Sequence, residues 1–131
     1  MSPVRHHVSG AALAFVLTDE LEKLRAELET APARSARTLV KDGPLRVTLV
    51  GVKPGGELRP HQADGPITLQ VLEGELDFQV EEQIARLSEG TLFALEGGIM
   101  HGVRSEHGAV FLLTVMAVRD PSHERQPASN E

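Results

Sequence analysis

At 131 residues, with 40% of side chains apolar and 24% charged, the chain has the make-up of one ordered domain burying a single core. A net charge of −6 argues against a nucleic-acid partner, which needs clustered Lys and Arg to neutralise phosphates. The absence of cysteine excludes disulfides, thiolate zinc sites and cysteine nucleophiles, and four Phe with no Tyr or Trp leave a core of Leu, Val, Ile and Ala.

The apolar run Gly10–Leu17, preceded by Arg5, His6 and His7, falls well short of the ~20 residues a membrane-spanning helix needs. An acidic, leucine-striped segment follows it instead of a small-residue cleavage site, so no membrane association and a cytoplasmic location are expected. Leu17, Leu21, Leu24 and Leu28 recur at helical spacing and predict a helix over Thr18–Thr30. Thr18 is its expected N-cap, Asp19 and Glu20 favour the first turn, and Ala31-Pro32 ends it.

From Ser35 to about Val118 the period is that of β-strands. Strands are expected at Ala36–Lys41, Leu45–Val52, Ile67–Leu72, Glu75–Val80, Gln83–Leu87, Thr91–Leu95, Gly102–Arg104 and Ala109–Val118. Turn chemistry separates them at Asp42-Gly43-Pro44, Pro54-Gly55-Gly56, Asp64-Gly65-Pro66, Ser88-Glu89-Gly90 and Glu96-Gly97-Gly98. Leu76, Phe78 and Val80 share one face, and Glu81-Glu82 forms a hairpin tip. The returning strand puts Ala85 with Leu87 on one face and Ile84 with Arg86 on the other. Ile67–Leu72 and Val110–Met116 are apolar on both faces, so something must cover their outer sides: the helix, or a second subunit. Short strands at this spacing imply a closed or double-sheet all-β architecture. The implied organisation is a segment 1–34 with the helix at about 18–30, a barrel over 35–118, and a flexible polar tail over 119–131.

Two Gly/Pro-marked stretches carry the candidate chemistry, Pro54–Leu76 with His61 and Gly90–Val103 with His101. They resemble the two motifs of the cupin family, G-x5-H-x-H-x3-4-E-x6-G and G-x5-P-x-G-x2-H-x3-N. The resemblance implies a cupin-type double-stranded β-helix, a jelly-roll-like barrel, here with one N-terminal α-helix. In that family the two histidines and glutamate of the first motif and the histidine of the second hold a divalent metal. Counted back from Gly74, this chain keeps His61 but has Ala63 in place of the second histidine and Ile67 in place of the glutamate. The second motif keeps Gly90, Gly98 and His101, with Glu96 in the proline slot and Ser105 in the asparagine slot.

Two imidazoles fall short of the roughly three protein ligands of a catalytic zinc or non-haem iron site. Gln70, Glu96, Glu106, His107 and Asp64 are the other donors in the chain to consider, and none lies at a motif ligand position. Taken singly, each histidine reads as an ordinary solvated or carbonyl-bonded side chain; at the two motif positions together they point to one shared pocket. The expected ligand pocket is His61, Ala63, Ile67, Phe78 and His101, more apolar than a full metal centre, with either no cofactor or a divalent transition metal weakly held by His61 and His101. No nucleophile elbow, phosphate loop or dinucleotide fingerprint is present. The leading expectation is a small-ligand-binding domain without turnover. Second comes a metal-dependent cupin enzyme of dioxygenase or isomerase type using His61 and His101, and third a structural dimer module. A homodimer is expected in any case.

Overall fold

The computed structural model describes residues 12–117. The expected tail, and with it His123, lies outside that range, as do His6 and His7. The helix α1 (Leu17–Thr30) begins one residue earlier than the sequence implies. Thr18 is not its N-cap: Val16 occupies that position without a side-chain cap, and its carbonyl accepts from the amides of Asp19 and Glu20 at 3.0 and 3.1 Å. Asp19 and Glu20 still place negative charge at the positive end of the helix. At the other end Ala31, held extended before Pro32, stops it.

Nine strands follow: β1 (Arg34–Asp42), β2 (Leu45–Val52), β3 (Glu57–His61), β4 (Ile67–Gly74), β5 (Leu76–Val80), β6 (Gln83–Leu87), β7 (Leu92–Leu95), β8 (His101–Arg104) and β9 (Ala109–Met116). They form a five-stranded sheet in the order β1-β2-β9-β4-β7 and a four-stranded sheet in the order β3-β8-β5-β6, all neighbours antiparallel. The β3 strand is absent from the sequence expectation, which leaves His61 in a segment leading towards a strand. Its residues do not alternate, and Pro60 speaks against a strand; an edge position removes the objection, because among the described residues β3 pairs only with β8.

Side-chain alternation sorts the two faces. The inner faces meet in a core of Val50, Val52, Ile67, Leu69, Val71, Leu76, Phe78, Leu87, Val103, Ala109 and Phe111. Ala85 packs against this core, while Ile84, one residue before it, is 68% exposed, so β6 has the two-sided character its sequence implies.

The outer side of the five-stranded sheet carries the second apolar cluster. Leu24 and the flanking Leu21 and Leu28 of α1 lie on Leu49, Val110, Leu72 and Leu112 of β2, β4 and β9. Gly51 sits beneath the helix, where an added Cβ would come within 2.6 Å of Leu28 Cδ1. Beside this contact Glu20 is almost fully buried and paired with Arg37 of β1 at 3.2 Å; Arg37 also bonds Glu27 at 2.7 Å. A second tie links Arg25 to Glu73. The helix therefore covers one side of the strands that are apolar on both faces, as the sequence requires.

Candidate functional site

His61 ends β3 and His101 opens β8, and antiparallel pairing sets them directly opposite each other. A register irregularity between Leu58 and His61 turns the end of β3. Gly102 permits the close approach: a Cβ there would meet Leu58 O at 3.0 Å and Pro60 N at 3.2 Å.

The loops that precede these elements are stitched together. The Gly98 amide donates to Ala63 O at 2.8 Å, and Gly97 leaves no room for a side chain, since its Cβ would lie 2.6 Å from Asp64 O. The sequence marks Gly97-Gly98 as a turn and Gly98 as a motif glycine; the pair joins one histidine-bearing loop to the other.

The two imidazole centroids are 4.5 Å apart and tilted by 56°. His101 stacks on Phe78 at 5.6 Å and 15°, and Phe78 in turn contacts Phe93 at 4.7 Å. His101 is buried and His61 half-buried. Each ring is oriented in the same way: His61 Nδ1–H donates to Arg59 O and His101 Nδ1–H to Ile99 O, both at 2.9 Å. A carbonyl oxygen only accepts, so the proton of each neutral ring sits on Nδ1 and Nε2 keeps its lone pair. Burial pushes the His101 imidazole below its ordinary value of 6.5; the Ile99 carbonyl raises it and the neighbouring His61 lowers it further.

The remaining predicted pocket residues belong to the core cluster that includes Phe78. Ile67 is buried and Ala63 is partly buried, and both pack in the core cluster that holds Phe78. Phe93, not singled out from the sequence, belongs with them. Its position on β7, next to the exposed Leu92, gives no sequence signal beyond alternation.

The sequence marks Ser105 only as the occupant of the asparagine slot. It is fully buried, donating through Oγ to Glu75 O at 2.8 Å and accepting from the Gly108 amide at 2.9 Å. Glu106 and His107 lie exposed beyond it, as does Glu96 in its turn and Gln70 on the outer face of β4. A shallow surface dip lined by Glu75, Asp77, Arg86, Glu106 and His107 lies at the opposite end of β5 from the histidines.

The donor chemistry does not fit a resident transition metal held by the protein. His61 and His101 present two Nε2 atoms, Ala63 and Ile67 present none, and no group of three or more His, Cys, Asp or Glu among the described residues is placed to hold an ion.

Two antiparallel sheets enclosing a histidine pair at one end are the architecture of a cupin barrel. The sequence profile described as the cupin domain matches residues 48–116, and the chain belongs to that family. It is similar in structure to a conserved protein of unknown function from Streptococcus pyogenes, with a TM-score of 0.67 and 22% identity over 92% of this chain and 98% of that one. A cupin superfamily protein from Desulfitobacterium hafniense gives a TM-score of 0.67 at 12% identity, covering 89% of this chain and all 100% of the other. An RmlC-like cupin from Shewanella frigidimarina gives 0.63 at 20% identity, covering 71% and 84%. Likeness at these identities shows the fold alone. No curated protein matches the chain. No helix among the described residues is long and apolar enough to cross a membrane.

Proposed function

We propose that this cupin domain binds a small, partly apolar molecule at the barrel end that carries His61 and His101, without a complete metal site of its own. The observation that carries the reading is the histidine pair itself. Two rings stand 4.5 Å apart, one of them stacked on Phe78, and Phe78 belongs to the apolar cluster in which Ile67 is buried and against which Ala63 packs. A barrel end with few polar groups on apolar walls is the usual chemistry of a small-molecule site.

Elemental analysis of tag-free protein, beside a His61→Ala/His101→Ala double variant, tests it. The expected result is no stoichiometric transition metal in either protein. One equivalent in the parent, lost in the variant, overturns the reading in favour of a metal-dependent cupin enzyme.

A specific observation favours a second feature, self-association. Register places Val47, Thr114, Thr68 and Ala94 in one row across the outer face of the five-stranded sheet, next to the exposed Leu92 and Met116. The Leu24 cluster under α1 does not include this row. A second copy of the chain is the occupant we assign to it.

A further inference from the structure

We infer that the molecule bound at the histidine pair is an uncharged hydrogen-bond donor, a hydroxyl or N–H group on an apolar body, and not a carboxylate or other anion. The inference rests on the ligand-binding reading above and names the ligand class for that same site.

Its basis is the orientation of the two rings. Both Nδ1–H groups are consumed by backbone carbonyls two residues earlier in the chain, at 2.9 Å in each case. What remains for a ligand is therefore two Nε2 lone pairs, and a lone pair can only accept. No further hydrogen bond of His101 occurs among the described residues. No fully buried side-chain nitrogen or oxygen there lacks a partner either, so its Nε2 is not completely sealed in the core.

The neighbours then decide the charge of the ligand. Phe78 stacks beneath His101, and it belongs to the apolar cluster that holds Ile67 and packs against Ala63. An anion placed there would meet two acceptor lone pairs in a poorly solvated setting, and its lost hydration would go uncompensated. A donor group meets two acceptors, while the body of the molecule meets alkyl and aromatic surface. A purely apolar molecule fills the same wall but displaces water from Nε2 without replacing its hydrogen bond.

The test uses phenol, toluene and benzoate, three probes of similar shape that differ in donor capacity and charge, titrated at pH 8 into isotopically labelled full-length protein. Binding is read from the methyl signals of Ala63 and Ile67 and the ring-nitrogen signals of His61 and His101. The expected result is Nδ1-protonated rings in the free protein, a phenol-induced shift at Nε2, and phenol binding about tenfold tighter than either other probe, the gain of about one well-made hydrogen bond. In a His101→Phe variant that keeps the parent's methyl spectrum, phenol should lose most of its advantage over toluene.

Protonation of the free rings at Nε2 overturns the inference, and because it is read on the parent protein it needs no variant to fold. Benzoate or toluene binding as tightly as phenol also overturns it, while leaving the ligand-binding reading in place. Failure of all three probes to move the Ala63 and Ile67 signals defeats the ligand-binding reading and this inference with it.

Discussion

His101 shows how one residue ties the site to stability. Burial lowers its proton affinity in the folded state, whereas the unfolded chain protonates at the ordinary 6.5. Below that pH the unfolded state holds more protons, so the stability linked to a neutral His101 is complete above 6.5 and lost as pH falls towards the folded-state value. The urea midpoint should therefore fall between pH 7.5 and 5.5, and a His101→Phe variant, which retains a ring against Phe78, should show a flatter profile. Equal slopes in the two proteins would refute the assignment.

Ser105 makes a different prediction. Its hydroxyl bridges Glu75 O and the Gly108 amide inside the fold, so Ser105→Ala leaves a buried donor and acceptor unmatched and should cost about 1–3 kcal/mol in denaturant unfolding. At this scale the sequence offers candidate residues and is silent about how they are turned. His61, Ala63, Ile67, Phe78 and His101 can be picked out by motif position and alternation. The carbonyl bonds that select the ring tautomers depend on the local bend of β3 and β8, which no spacing encodes.

The clearest element-level prediction concerns α1. Its leucine stripe is completely covered at Leu24, and Glu20 is buried beside it against Arg37. Leu24→Ala should destabilise the protein by about 2–5 kcal/mol, the range for emptying a filled core position. Arg37→Ala should cost about 3 kcal/mol, because it strands a buried carboxylate whose other cation, Lys23, stands 3.7 Å away. If chemical denaturation showed Arg37→Ala to be neutral, the ion pair would be a bystander to the leucine packing.

The helix was readable from a 3.6-residue period, and most strands from turn residues and alternation. Two elements escaped for physical reasons. β3 has neither alternation nor a full set of amides, and it is held by the edge it occupies beside β8. The helix start moved because the Val16 carbonyl, rather than the Thr18 hydroxyl, receives the first free amides.

For the whole molecule, the outer row of the five-stranded sheet beside the exposed Leu92 and Met116 sets the expected assembly. Sedimentation at micromolar concentration should give a homodimer, and a Leu92→Glu/Met116→Glu variant should sediment as a monomer with an unchanged circular dichroism spectrum. A monomeric parent protein would remove the second subunit from the account.

The position of β9 has a further consequence, for the order of events during synthesis. This strand, Ala109–Met116, lies between β2 and β4 and is the only neighbour that joins them. Until Met116 has cleared the ribosome, the strands Leu45–Val52 and Ile67–Gly74 have no common partner, and the edges that β9 will join stay unpaired. The sheet cannot be assembled progressively from its N-terminal end; β2 and β4 are joined only once β9 is available. A nascent chain of this topology is most vulnerable to aggregation before β9 emerges, and stalling or truncation ahead of Ala109 would harm it far more than a break at the tip of the β5–β6 hairpin.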